Sequence, residues 1–185
     1  MSVNETKLGG GYASGMFYHA PAGTTLPAYP GETLDPAWVH VGDVTEDGIS
    51  WATGRSYTPL KSWALEIKRM LPSTDPQTIK VPIMDTTEEV FKTIFGASNV
   101  TVTPANGSHG EVITVDTSSL NTPTEEAFLF IMKDGDVMSY LGTTSGFISA
   151  LDDVAFKATE GITWNATISS SAWAYVQDDG QIEES

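Results

Sequence analysis

The side chains that could carry chemistry are few and widely separated. The three histidines are His19, His40 and His109, and none of them belongs to an HxH or HExxH motif of the kind that holds zinc. Because the chain has no cysteine, a nucleophilic enzyme would depend on serine or threonine. Neither a GxSxG nor an SxxK motif occurs, so the sequence predicts no catalytic or metal centre.

Three short glycine-rich or acidic runs resemble fragments of ligand-binding motifs. Gly9–Gly11 lacks the Gly-Lys-Ser/Thr that completes a phosphate-binding loop. Asp134–Asp136 and Asp152–Asp153 lack the alternating oxygen ligands and the distal Glu of a calcium loop, and turn formation explains both. We therefore predict no cofactor, no metal ion and no enzymatic activity.

Tryptophan is the other residue type that could define a site. Five tryptophans could form an aromatic platform for sugars, which makes carbohydrate or receptor binding an alternative function. Trp164, however, lies on the apolar side of an alternating strand pattern, which favours a place in the core. The five are Trp38, Trp51, Trp63, Trp164 and Trp173.

Charge is the strongest compositional signal. The chain has 24 Asp and Glu against nine Lys and Arg, a formal net charge of -15. Affinity for phosphate backbones depends on basic side chains that release condensed counterions, so ordinary nucleic-acid binding is excluded and repulsion is expected. The alternative reading is that the acidic excess keeps an abundant protein in solution.

The remaining composition predicts one domain built from many short strands. The chain has 185 residues, 40% of them hydrophobic, with 17 Gly and 10 Pro spread along it. A chain of this length buries about 70% of its unfolded surface in a single core. No apolar run approaches the roughly 20 residues that span a bilayer, and the start lacks the apolar run of a signal peptide. We expect a soluble protein that is made in a cytoplasm and does not contact membranes.

Three segments divide the chain. Residues 1–36 are rich in Gly and Pro, carry aromatic residues, and are predicted to form an extended arm that docks on its own domain or on a neighbour. Residues 37–176 are predicted to form a single β domain. Residues 177–185 are predicted to form an acidic, frayed tail.

Residues 52–80 form a basic segment within this domain. It holds five of the nine basic residues, namely Arg55, Lys61, Lys68, Arg69 and Lys80. Trp63, Leu65 and Ile67 alternate as in a strand, whereas Trp63, Ile67 and Leu71 recur at helical spacing. Periodicity leaves residues 61–71 open between strand and helix, and we favour an extended, partly exposed hairpin.

One helix is predicted over residues 86–95. Asp85 or Thr86 can cap it, and Gly96 suits the left-handed position that ends it. The helix has an apolar stripe for packing on a sheet, together with an exposed Glu88–Lys92 pair.

Strands are predicted on both sides of the Asp47-Gly48 turn. The unbroken apolar run 127–132 suggests a strand covered on both faces, by the helix or by another subunit. The strands after the helix are predicted over 100–103, 111–115, 127–133, 136–141, 154–158 and 161–168.

Three segments, read in order, resemble the tail tube (major tail) proteins of siphovirus-type bacteriophages, particularly those that infect actinobacteria. Residues 12–51 look like the start of the family, with a W-x-x-x-G-x-V-x-x-D-G-I pattern. Residues 60–96 are similar to its Trp-containing hairpin, the following strand and a helix ending in FG. Residues 152–172 look like its terminal strand pair.

The resemblance implies a mainly β fold, a β-sandwich or barrel with one flanking helix, that assembles into hexameric rings. The rings would stack into a hollow tube in the virion tail that conducts the genome. An acidic bore would let double-stranded DNA pass without specific binding. The implied partners are tape-measure, tail-terminator and distal tail proteins, and synthesis would take place in the bacterial host cytoplasm.

Segments with little local support are the expected subunit contacts, because a ring satisfies exposed edges between neighbours. A capsid decoration protein or a carbohydrate- or receptor-binding sandwich of a virion remains the alternative. The predicted contact residues are Tyr12, Phe17, Tyr18, Arg55, Tyr57, Lys61, Trp63, Lys68 and Arg69.

Overall fold

The computed structural model describes residues 10–11, 17–72, 75–118, 120, 124–157 and 161–179. Within these residues the chain is mainly β, with one α-helix, as predicted. The elements are β1 (Gly10–Gly11), β2 (Phe17–Pro21), β3 (Val39–Gly42), β4 (Ser50–Ala52), β5 (Tyr57–Lys61), β6 (Ile67–Pro72), β7 (Gln77–Ile83), α1 (Glu88–Phe95), a 3-10 turn (Ala97–Asn99), β8 (Val100–Thr103), β9 (Val112–Val115), β10 (Glu126–Asp134), β11 (Val137–Leu151), β12 (Trp164–Ser170) and β13 (Ala174–Asp178).

Nine of these strands form one open sheet in the order β3-β2-β10-β11-β12-β7-β4, with β1 beside β10 and β13 beside β11. The long strand β11 joins the two halves, because Met138–Gly142 pairs with β13 whereas Phe147–Leu151 pairs with β12. After β3 the chain reaches the other half, where Thr45 donates its N–H to the Pro82 carbonyl at 2.9 Å. The two halves enclose a common core.

The main core draws on both halves of the sheet and on the helix. Phe17 of β2 is fully buried and stacks on Phe130 of β10, with 4.6 Å between ring centroids. Ile79 of β7 and Ile168 of β12 enter from the other half and are also fully buried. Val90 of α1 joins the same cluster, so the helix covers one part of the core.

The apolar strand β10 is covered on both faces, as predicted, and its own chain supplies both covers. Phe128 and Phe130 face the main core. Leu129, one position out of phase, faces a second cluster with Trp38 and Tyr140. The loop from 22 to 38 closes this second cluster, and the Tyr140 hydroxyl donates a hydrogen bond to the Pro27 carbonyl at 2.7 Å.

The extended arm predicted over residues 1–36 requires a correction from residue 17 onward. Residues 17–21 form β2, which pairs with β10 on one side and with β3 on the other. Residues 17–36 therefore belong to the body of the fold. The short segment looked like an arm because its main partner, β10, lies more than 100 residues away in sequence.

The helix α1 lies inside the segment predicted for it, with a different cap. Thr87 Oγ1, rather than Asp85 or Thr86, accepts the Val90 N–H at 3.4 Å. Asp85 instead accepts the Asp43 N–H at 2.6 Å, which ties the start of the helix to the end of β3. At the other end, Gly96 has a φ of 85° and donates its N–H to a carbonyl of the last turn.

Two strand predictions and the predicted tail at the end of the chain need correction. Residues 154–157 contain no regular structure in the described part of the segment 154–158. The strand predicted over 136–141 continues to Leu151, because Gly142 does not end it but allows close packing: a Cβ there would lie 2.7 Å from Leu26 Cδ2. The tail predicted to begin at 177 overlaps β13, which was not predicted.

Candidate assembly surface

The three histidines lie in separate surroundings. His19 Nδ1 is 3.0 Å from Glu126 Oε2, His40 packs against the Tyr18 ring, and His109 Nε2 is 2.9 Å from the Asn106 amide. Within the described ranges, no group of three His, Cys, Asp or Glu side chains could hold a metal ion. In the same ranges, no helix is long and apolar enough to cross a bilayer.

The feature that stands apart from the sheet is the β5–β6 hairpin. Its two strands pair only with each other among the described strands, and a turn from Ser62 to Glu66 connects them. In this turn Ser62 donates its N–H to the Glu66 carbonyl at 2.8 Å, and Leu65 adopts a φ of 61°. Residues 61–71 are therefore a turn and a strand rather than a helix.

Both faces of this hairpin are apolar and exposed to solvent. Alternation along the paired strands places Tyr57 and Met70 on one face and Leu60 and Leu71 on the other. At the turn Trp63 has a relative exposure of 103%. The large apolar side chains left exposed are Tyr57, Leu60, Trp63, Leu65, Ile67, Met70 and Leu71.

Such exposure is costly unless another surface covers it. Full burial of one large apolar side chain contributes about 1.5–3 kcal/mol. An isolated two-stranded hairpin is at best marginally stable, and contiguous exposed apolar patches mark interaction sites. The hairpin therefore has the character of an interface.

The strands of the hairpin are exposed, but its foot, where the chain enters and leaves the hairpin next to the main sheet, makes several contacts. The Ser56 hydroxyl donates a hydrogen bond to Asp75 Oδ2 at 2.8 Å, which links the segment that enters the hairpin to the segment that leaves it. Gly54, with a φ of 60°, passes so close to Asp75 that a Cβ there would lie 2.6 Å from its carbonyl oxygen. Trp51 donates its indole N–H to Gln77 at 3.3 Å. These contacts hold the two ends of the hairpin next to each other where they meet the main sheet.

The hairpin also concentrates positive charge. The hairpin itself, residues 57–72, carries three basic side chains and one acidic one, a net charge of +2. Since the whole chain has a net charge of -15, the rest of the chain carries -17. Within the hairpin, Lys68 Nζ lies 2.6 Å from Glu66 Oε2, and both side chains are largely exposed. The hairpin and the body are thus electrostatically complementary.

A cavity of about 560 Å³ opens on another part of the surface, between β2, β3, the start of β10 and α1. Its walls are mainly apolar and include Pro21, Ala37 and the exposed side chain of Val39. Three carboxylates, those of Glu89, Glu125 and Glu126, also line it.

His19 connects these carboxylates across two elements. Its Nδ1 contacts Glu126, and its Nε2 lies 3.7 Å from Glu89 without a hydrogen-bond partner.

Glu89 also forms an ion pair with Lys92, whose ammonium lies 2.6 Å from Glu88 and 3.0 Å from Glu89. These hydrogen bonds, to Glu88 first and then to Glu89, raise the pKa of Lys92. The Glu88–Lys92 pair was predicted.

The residues predicted as subunit contacts fall into two groups. Tyr12 lies outside the described residues, Phe17 is buried in the subunit's own core, and Tyr18 is partly buried against the second cluster. Phe17 is therefore not available to a neighbour. The others lie on the hairpin, except Arg55, which immediately precedes it; they are Arg55, Tyr57, Lys61, Trp63, Lys68 and Arg69.

The tryptophans do not form a platform for sugars. Trp38, Trp164 and Trp173 are each only 8% exposed, and Trp164 meets the Phe91 ring edge-on at 5.2 Å. Trp51 lies at the foot of the hairpin, while Trp63 lies at its turn. The structure thus gives no support to the carbohydrate-binding alternative.

Sequence reasoning missed several residues of this surface. Leu60, Leu65, Ile67 and Met70 are exposed on the hairpin, and their signal was present as apolar residues on both faces of strands rich in cations. The cavity had no such signal, since its walls come from four elements scattered between residues 19 and 126.

Among the residues that the structure describes, the β domain contains no metal-binding cluster, and its most distinctive surface feature is an exposed apolar hairpin. These are features of a structural protein that assembles through its surface. The comparison with protein families agrees: the model of the phage tail tube protein family matches residues 2–171, and the chain belongs to this family. Membership makes it a structural, non-enzymatic protein of the virion tail, which assembles into a tube with other tail proteins. Among curated proteins, none matches the chain.

Proposed function

We propose that this protein polymerises as stacked hexameric rings and that the resulting hollow tube conducts the phage genome to the host. The β5–β6 hairpin is the observation that carries the proposal. Its apolar faces and positive charge match a neighbouring subunit whose body is strongly acidic. A contact in which a hairpin of one subunit meets a different surface of the next repeats head to tail, and it closes into rings or extends into filaments.

The charge distribution suits a channel for DNA. Once the basic hairpins are buried between subunits, the surface that remains is that of the body, with its net charge of -17. Such a surface repels phosphates and offers few cations to displace counterions. Double-stranded DNA would then pass without specific binding.

The proposal also includes the proteins that contact the tube and the place where the subunits are synthesised. Tape-measure, tail-terminator and distal tail proteins are the proposed partners at its inside and at its two ends, and synthesis takes place in the host cytoplasm before assembly. The tail-terminator and distal tail proteins, at the two ends, would meet the same subunit surfaces that otherwise join one ring to the next.

Charge reversal in the hairpin tests this proposal. Lys68→Glu combined with Arg69→Glu should leave the monomer folded, because both side chains are exposed, and should block polymerisation. The matched control is Lys133→Glu with Lys157→Glu, which changes the net charge equally at exposed positions of the body. Negative-stain micrographs and sedimentation would report assembly, and circular dichroism would report folding. Normal tubes from the hairpin variant would overturn the role of the hairpin.

A further inference from the structure

We infer that the turn of the hairpin in one subunit docks into the cavity beside α1 of a second copy of this chain. In this contact Trp63 enters the cavity, and the surrounding cations meet its three carboxylates. The inference rests on the proposed function, in which the hairpin joins subunits, and adds the surface that receives it. That surface consists of the cavity walls Pro21, Ala37 and Val39 with Glu89, Glu125 and Glu126.

The donor surface, which is the turn of the hairpin, combines one large aromatic side chain with positive charge. Trp63 protrudes at the turn with its whole surface in solvent, and Leu65 beside it is 76% exposed. Residues 61–69 carry three basic side chains and one acidic one, a net charge of +2 in a chain of -15. Buried aromatic anchors, Trp among them, dominate the binding energy of many interfaces.

The acceptor has the size and the lining for such an anchor. A volume of about 560 Å³ lies within the range of roughly 300–1,000 Å³ that encloses small ligands, so one indole and part of its turn fit. Proline, alanine and valine side chains supply apolar walls, and Val39 is 40% exposed in the free subunit. A tryptophan is the side chain best suited to cover such walls.

Charge complementarity selects the occupant. Glu89, Glu125 and Glu126 surround apolar walls, whereas the cations next to them are Lys92 and, when protonated, His19. An apolar anchor flanked by cations matches this lining, and the hairpin turn supplies both. A partner with an acidic turn would be repelled.

The contact is between copies rather than within one chain. The cavity is formed by elements that the hairpin does not pair with, and the complete exposure of Trp63 leaves it free of its own body. Donor and acceptor are different patches, so each subunit can give one hairpin and receive another. This arrangement predicts complementation between two defective variants.

The first experiment mixes a donor variant with an acceptor variant. Trp63→Ala removes the anchor and Glu125→Lys reverses the charge of an exposed carboxylate at the cavity, and each variant alone should stay monomeric and folded. Mixed, they should form a 1:1 heterodimer that does not grow, because one intact turn meets one intact cavity. Size-exclusion chromatography with light scattering measures this directly.

The second experiment uses the absence of cysteine in the chain. Ala64→Cys at the turn combined with Ala37→Cys at the cavity should give intermolecular disulfides and a ladder of oligomers on a non-reducing gel. Ala64→Cys with Ala105→Cys, an exposed alanine on the β8–β9 loop, is the matched control and should give no ladder.

The outcomes distinguish a failure of the docking inference from a failure of the proposed role of the hairpin in assembly. If Trp63→Ala blocks assembly but Glu125→Lys assembles normally and the cavity cysteine forms no disulfide, then the hairpin is an interface and the cavity is not its receptor. If Trp63→Ala itself assembles into normal tubes, both the docking of the turn and the proposed role of the hairpin are wrong. Heterodimers and a specific ladder would support both.

Discussion

Replacing Phe17 with alanine tests whether β2 belongs to the core. The Phe17 side chain is completely buried between Phe130 at 4.6 Å and Phe128 at 6.1 Å. A Phe→Ala change at such a position costs about 3–5 kcal/mol of unfolding free energy, which combines lost burial with the cavity that remains. A variant that loses this much of a typical stability of about 5–15 kcal/mol should unfold at a clearly lower denaturant concentration.

The measurement is urea unfolding of the monomer. Assembly stabilises the native state by mass action, so the comparison belongs in the Lys68→Glu, Arg69→Glu background, which is expected to stay monomeric. Tyr29→Ala is the matched control, because Tyr29 is an aromatic residue of the same segment that is 55% exposed. Its substitution should change the unfolding free energy by no more than about 0.5 kcal/mol.

The milder variant Phe17→Leu keeps the prediction measurable if Phe17→Ala does not fold. It retains most of the buried apolar surface and should cost about 1 kcal/mol. A loss below about 1 kcal/mol for Phe17→Ala, equal to that of Tyr29→Ala, would refute the placement of β2 in the core and would restore the arm for residues 17–36.

Three further predictions concern local features of the fold. Thr87→Ala removes the helix cap and should lower the unfolding free energy by about 1 kcal/mol in the same urea assay, whereas Thr87→Ser, which keeps a capping hydroxyl, should not. Gly142→Ala should destabilise by about 1–3 kcal/mol, because its Cβ would lie 2.7 Å from Leu26, and Leu26→Ala should restore part of the loss. Burial first, and then the charge of Glu32, raise the pKa of the Tyr140 hydroxyl. A tyrosine in the unfolded chain ionises near pH 10. The stability that the protonated Tyr140 hydroxyl contributes is therefore complete below that pH and is lost as the pH rises through the raised pKa of the folded protein. Stability measured between pH 8 and 11 should therefore fall less steeply in Tyr140→Phe.

Local signals in the sequence were sufficient for the helix and for the clearest strand. The helix has an apolar stripe and a glycine at its end, both within one short segment. Trp164, Ala166 and Ile168 alternate with polar residues, and all three are buried as the pattern predicts. Such features depend on neighbours along the chain, which a sequence displays directly.

Features that depend on distant partners could not be predicted. Phe17 lies in a short segment beside glycine and proline residues, and only its pairing with β10 makes that segment a strand. The range 61–71 satisfied two periodicities, and the turn with Leu65 in a left-handed conformation decides between them. The cavity unites His19 with Glu126, two residues that are 107 positions apart.

The central claim is that this chain forms a hollow tube through its exposed hairpin. The most direct test is electron microscopy of the purified protein at rising concentration, alone and with tail-initiator components, beside the Lys68→Glu, Arg69→Glu variant. The account predicts six-fold rings and hollow tubes for the unmodified chain and isolated subunits for the variant. Isolated subunits of the unmodified chain under all of these conditions, or tubes of both proteins, would contradict it.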